Sequence, residues 1–521
     1  MISNKIGKLN DILLILYINI IFDAHIILYS QNAAYALRMV TIVFALSVII
    51  CPRLLKSISA LELKASPETF DKKENKKYRA LFFFVPFFCF LVLYLIYYPG
   101  GFSADSIVQY SQTLSGSYND WHPVIHTLIA YKLPLLLTGG WIGAPALFQL
   151  TEFSLAIMYF TSTLTEYTDK KYSLLTLAFI LLNPETIGIS MYVWKDSAFT
   201  IGAMILTSIC IKIYFTNGKW VNNYLNLILL SLILALTTLV RHNGVLYTLP
   251  LMFALFVIIK KKKAILILVC FILVVTGIKF PIYSALKVEE PGQRQVEMLG
   301  VPLNVIATVV SGDPEALDKN TKEDIYKIAP KEVFNKEYKA GDFNTVKNHE
   351  NTDLDIIEEY GTKKIIDITI KCFKASPALA VKGLLKILTQ SVTVIDSYYH
   401  YNNPGIAENS FGISQKGLNF LSPFIMVYSL LVGTLLPHLF QYIGAMHLIL
   451  IVMFLSKCSF KKKNDLRVLL IILPVFIFNF ATTLLLTSIF DVMRFFYYTF
   501  TVTPMLLALI INKDKKYSER K

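Results

Sequence analysis

Residues 80–98 read ALFFFVPFFCFLVLYLIYY, without a single charge, and run directly into Tyr98-Pro99-Gly100-Gly101-Phe102-Ser103-Ala104-Asp105-Ser106 and then Asp120-Trp121-His122-Pro123-Val124-Ile125-His126. An apolar run of this length is what a helix needs to cross about 30 Å of hydrocarbon. The segment that follows puts a carboxylate and two imidazoles just beyond the span, where hydrophobic anchoring has no use for them.

Working outward, comparable apolar windows recur near 10–30, 33–51, 145–164, 172–191, 197–215, 223–240, 244–259, 264–285, 437–456, 466–488 and 495–511. The composition agrees: 55% hydrophobic residues against 17% charged over 521 positions, with a mean hydropathy of +0.54. That balance excludes a soluble multidomain protein, and continuous rather than alternating runs exclude a barrel. The expected fold class is an all-α polytopic membrane protein of about 12 transmembrane helices. Residues 122–137, 377–395 and 422–436 are read as interfacial or re-entrant, with a full span as the alternative for each, since Lys132, Pro134, Gly139 and Gly140 interrupt the first and Lys382 and Lys386 make the second amphipathic. The first apolar run holds Asp11, Asp23 and His25 and is expected to be a retained anchor, not a cleaved signal. The six cysteines form no CxxC pair or disulfide framework.

A formal charge of +14 raises the question of nucleic acid, but the cations sit in short loops: Arg53 through Arg79, Lys260 to Lys263, Lys461 to Lys463 and the tail from Lys513. This is the positive-inside pattern. It predicts two cytoplasmic termini and no nucleic-acid partner. The same threading sends Asp105 with His122, Asn183-Pro184-Glu185, Trp194-Lys195-Asp196, Arg241-His242-Asn243 and Asp491 with Arg494 to the outer face. Charges near lipid are costly, about 2.5–3.5 kcal/mol each at a helix centre, so a one-sided collection implies a use. Three regions result: a transmembrane module over 1–285 whose first outer loop is 99–122, an extracytoplasmic, mostly helical insert over 286–376, and C-terminal interfacial and transmembrane helices over 377–521. The insert has thirteen Lys and Arg against seventeen Asp and Glu, a net of −4 that leaves +18 on the rest.

Asp105 is placed to act as a general base toward an attacking hydroxyl, or as a helix N-cap before Ile107; the glycines before it would free the chain to turn. His122 and His126 share a helical face and can bind a phosphate or a metal, or serve as buried hydrogen-bonding groups. Arg241, His242, Lys195 and Arg494 are candidate ligands for a lipid-linked phosphate, Arg by a bidentate fork and Lys as a point charge. Against this stand snorkelling for Lys195, a local Lys195–Asp196 ion pair and an Asp491–Arg494 salt bridge. The run Phe495-Phe496-Tyr497-Tyr498 reads as an interfacial aromatic belt.

Pro99-Gly100 with Asp105-Ser106 and Gln109, Trp121-His122-Pro123, Lys195-Asp196, Arg241-His242-Asn243-Gly244, the insert from Gly300-Val301-Pro302, and Asp491 with Arg494 together resemble the GT-C class of integral membrane glycosyltransferases, and more narrowly a group of bacterial multi-pass proteins of that topology. The resemblance implies an enzyme of the bacterial plasma membrane that moves a sugar, with inversion, from a polyprenyl-phosphate donor to a cell-envelope glycan or protein on the outer face, with Asp105 as base and His122 beside it. Many GT-C members carry paired acids where this chain has Asp105-Ser106, so a divalent metal stays open and no other cofactor is expected. The competing readings are a polysaccharide polymerase or ligase, a lipid or glycan flippase, and a structural scaffold.

Overall fold

The computed structural model describes residues 2–30, 32–60, 72–168, 170–292, 294–392, 403–436, 443–457, 465–485 and 492–511. Helix accounts for 81% of the structure, and the described residues form no strand, only isolated bridges. The chain is an all-helical membrane protein. Six helices are long and apolar enough to cross a bilayer: Gly7–Leu28, Ala34–Ile58, Lys77–Ile96, Lys195–Phe215, Lys261–Ala285 and Leu466–Thr483.

Other apolar windows form shorter or broken elements. The window 172–191 is not one straight span: Lys170–Leu182 and Glu185–Met191 meet at 78°. The cause is Asn183-Pro184. Proline has no N–H to continue the ladder and its ring collides with the preceding turn, while the Asn183 side-chain oxygen takes the freed Glu185 N–H at 3.0 Å. Tyr224–Leu239 and His242–Ile258 are apolar but shorter. Val124–Leu137 carries a π-helical turn over Leu128–Lys132, and Lys132 neither spans nor snorkels; its Nζ donates to the Thr113 carbonyl at 2.8 Å near the end of helix Ala104–Ser115.

The two ends of the bundle differ chemically. At one, Glu166 joins Arg79 (3.3 Å) and Lys212 (3.0 Å), and Lys263 binds the Val221 carbonyl and Asn222. At the other, distant loops are stitched together through their backbones: Gly101 N–H donates to Met191 O, Phe102 N–H to Gly405 O, Ala407 N–H to Phe102 O and Asp120 N–H to Glu289 O, all within 3.0 Å. The Gly100-Gly101 pair is therefore not a loose tether. A Cβ on Gly101 would lie 2.6 Å from the Tyr192 ring, and one on Gly100, at φ +115°, 2.6 Å from the Ala146 Cβ. Glycine is needed here because backbone meets side chain at that range.

Residues between Val296 and Ala380 close over a hydrophobic core of their own, built on Gly300–Gly312, Lys319–Ile328 and Asp355–Ala375. The amphipathic Pro377–Val392 packs against both that core and the N-terminal helix Ile2–Tyr29, so it joins insert to bundle. Ser422–Leu435 buries Ser429 and Gly433 and leaves most apolar residues outward, tied to the bundle by the Tyr428 hydroxyl on Leu182 O (2.7 Å).

Candidate functional site

Helix Ala104–Ser115 begins at Ser103, whose Oγ accepts the Ser106 N–H at 3.3 Å and is itself held by Trp194 Nε1 at 2.8 Å. Ser103 is the cap, so the Asp105 carboxylate is released from that duty and faces the bundle. There it meets Arg494 Nη1 at 3.4 Å and lies 4.0 Å from His122 Nε2. Arg494 reaches Asp196 through Nε at 3.4 Å, and Asp196 is bound on its other oxygen by Arg241 Nη2 at 2.8 Å. Four segments separated by up to 389 residues thus form one chain of contacts, His122–Asp105–Arg494–Asp196–Arg241, in which charge alternates from Asp105 onward.

Lys195 and Asp196, though adjacent, do not pair. Successive residues on a helix point about 100° apart, and Lys195 turns instead to His122, with Nζ 3.2 Å from Nδ1. An ammonium can only donate, so Nδ1 accepts and the imidazole proton is assigned to Nε2, facing Asp105. Burial holds the His122 imidazole down to a pKa of about 3, and Lys195 adds to this more than Asp105 opposes it. His122 is therefore a neutral link between a cation and an anion. For Asp105 burial pushes upward, but Arg494, then Lys195, outweigh it and hold the carboxyl well below the usual carboxylate range. Lys347 of the insert adds to the same pull, from an ion pair with Glu297.

Accessibility grades the members. The Asp105 side chain is 34% exposed and Arg494 10%, whereas Arg241 and Asp196 are at 4% and 1%. The Arg241 guanidinium is closed in by the rings of Phe199, Phe478 and Phe495, each with its centroid 5.3–5.4 Å away, and donates to the Phe495 carbonyl. It anchors Asp196 and is shut off from any ligand that reaches Asp105. Arg494 lies over the Trp194 indole at 4.9 Å. The run Phe495 to Tyr498 is no interfacial belt: Phe496, Tyr497 and Tyr498 are fully buried, with the Tyr498 hydroxyl on Val475 O and Asn479, and Phe495 separates the two guanidiniums.

Of two further expected site residues, His126 lies beside the cluster, within electrostatic reach of Lys195 and Asp196, and His242 falls outside it. His126 is buried and its Nδ1 bonds the Gln109 side-chain oxygen at 2.7 Å, which Thr127 Oγ1 also donates to; it braces Ala104–Ser115 from below. His242 joins a second cluster, with Nε2 2.9 Å from the Asp120 backbone oxygen and 3.7 Å from its carboxylate, which also faces Lys279 at 3.6 Å and accepts the Tyr283 hydroxyl. Asp491 lies outside the described residues. Among those residues no three His, Cys, Asp or Glu side chains are arranged to hold a metal ion. Asp105 and His122 alone, beside Arg494 and Lys195, are a donor set that does not fit a divalent cation.

The charge count points the other way. Arg241, Arg494 and Lys195 supply three positive charges; Asp105 and Asp196 supply two negative ones; His122 is neutral. Among the described residues the cluster carries a surplus cation, and no carboxylate stands within ion-pair range of Lys195. Fold and site together define a helical membrane protein with a half-buried ionic cluster at one end of its bundle. The chain belongs to the family of unknown function DUF6020, which matches residues 12–356. No curated protein and no solved structure matches it. The match covers every residue of the cluster but Arg494.

Proposed function

We propose that this protein is a GT-C-type inverting glycosyltransferase of the bacterial plasma membrane, using a polyprenyl-phosphate sugar to modify a cell-envelope glycan or protein. The observation that carries the reading is Lys195, which has no carboxylate within ion-pair range among the described residues, beside a carboxylate that solvent reaches. A phosphate ester supplies the missing anion, and the carboxylate supplies a base. In the reaction the acceptor oxygen attacks the anomeric carbon, the bond from that carbon to the phosphate oxygen breaks, the lipid phosphate leaves with the electron pair, and the acceptor proton passes to Asp105. Lys195 and Arg494 hold the phosphate as its charge grows.

The architecture of about 12 spans and the outer-face placement belong to the same proposal. Their support is the contrast between an end lined by Arg79, Lys212 and Lys263 and an end holding the Asp105 cluster, since basic loops favour the cytoplasm. The test is a deletion strain complemented with wild type or Asp105→Asn, with envelope glycans compared by mass spectrometry. The variant is expected to insert normally and leave the substituent missing; full restoration of the substituent removes Asp105 from the chemistry.

A further inference from the structure

We propose that Asp105 is the resting counter-ion of the phosphate site: it occupies Arg494 when the site is free, yields Arg494 to the lipid phosphate as transfer proceeds, and is tuned so that the site fits the lipid monophosphate product best once Asp105 is neutral. This rests on the glycosyltransferase reading and adds the order of events and the charge state that the site selects.

The two carboxylates that share Arg494 are not equivalent. Asp196 is fully buried and held by Arg241 at 2.8 Å as well as by Arg494. Asp105 is a third exposed, has one guanidinium contact at 3.4 Å, and touches His122 only at 4.0 Å. It is the looser partner, on the accessible side. With Arg494 in place the carboxyl is held far below the range of a useful base, chiefly by that cation working against burial. Remove Arg494 to another anion and burial is left to push the carboxyl upward. The resting pair therefore explains how one residue is quiet without a donor and basic with one.

The change in charge balances across the step. A donor phosphodiester carries −1. Transfer breaks the sugar–phosphate bond, leaves a lipid phosphomonoester of up to −2, and puts the acceptor proton on Asp105. Loss of that negative charge makes the cluster more positive by one, which matches the charge the departing phosphate gains. No oxidant, reductant or further reactant is needed.

The experiment measures binding of dodecyl phosphate, a monoester, and dodecyl methyl phosphate, a diester, to the full-length protein in nanodiscs at pH 7.5 by titration calorimetry. Asp105→Asn, which carries the neutral state permanently, is expected to bind the monoester at least tenfold more tightly than wild type and the diester within about threefold. Asp105→Ser is expected to do the same with a different shape, which covers a failure of the Asn variant to fold. Unchanged or weaker monoester binding by folded variants, with wild type still binding, overturns the counter-ion proposal and leaves phosphate recognition standing. Wild type that binds neither ester overturns both. Loss of folding in both variants also contradicts the proposal, because a displaceable counter-ion is not a structural keystone.

Discussion

Two polar clusters share one end of this bundle, and their difference lies in arithmetic rather than in richness. Around Asp120, among the described residues, one cation, Lys279, faces one carboxylate, which accepts the Tyr283 hydroxyl, while His242 bonds the Asp120 backbone oxygen. Around Asp105, three cations face two carboxylates. The first cluster is self-sufficient and ties the loop before His122 to Lys261–Ala285, beside the parallel bridge of Asn119 to Glu289. Among the described residues the second has one more cation than carboxylates. Balanced buried charges are a way to hold segments together, whereas an unbalanced set marks a place for something the protein does not itself provide.

The sharpest way to break this contrast is to remove the innermost carboxylate. Asp196→Asn strands the caged Arg241 guanidinium, and loss of one partner from a buried pair costs about 3–5 kcal/mol; a thermal-unfolding series in detergent should show that loss. Asp120→Asn, whose partners are about a third exposed and so better solvated once the carboxylate is gone, should cost less. Equal losses would mean that the two clusters play the same part.

Next in size is the pH response. His122 is neutral when folded, with its pKa held near 3 against an ordinary 6.5, so the unfolded chain binds the extra proton between those values. Stability is then fully present above about pH 6.5 and falls as pH drops toward 3. Melting curves from pH 7.5 to 4.5 should decline, and His122→Gln should flatten the decline. An unchanged slope would place the titrating group elsewhere.

The smallest expected change in stability separates the two lysines by function. Lys195→Met and Lys279→Met should each stay within about 1 kcal/mol of wild type, the first because it removes an uncompensated charge. Only Lys195→Met should abolish dodecyl phosphate binding. Loss of binding in both would dissolve the distinction.

Much of this was legible from residue order alone. The apolar windows give an all-helical membrane chain, and the polar punctuation gives Asp105, His122, Lys195 and Arg494, which the fold then brings within 4 Å of one another in sequence-distant pairs. What stayed hidden depends on direction rather than composition. Asp196 looked like a partner for its neighbour, yet helical geometry turns the two apart and gives Asp196 to two arginines. The aromatic run after Arg494 has belt composition, but inside the bundle the Tyr498 hydroxyl finds Val475 and Asn479 and the Tyr497 hydroxyl finds Thr186. Hydropathy does not register the bend at Asn183-Pro184, because a proline inside an apolar window changes the path and not the mean. Lys347 carries no local signal, since its approach to Asp105 is decided by how the insert folds back.

The most direct test of the central claim is electron cryomicroscopy of the protein in nanodiscs saturated with dodecyl phosphate. The account predicts phosphate density within hydrogen-bonding reach of Lys195 Nζ and Arg494, with the Asp105 carboxylate moved off the guanidinium. Phosphate density at Lys279 and His242, with Asp105 still on Arg494, would contradict it.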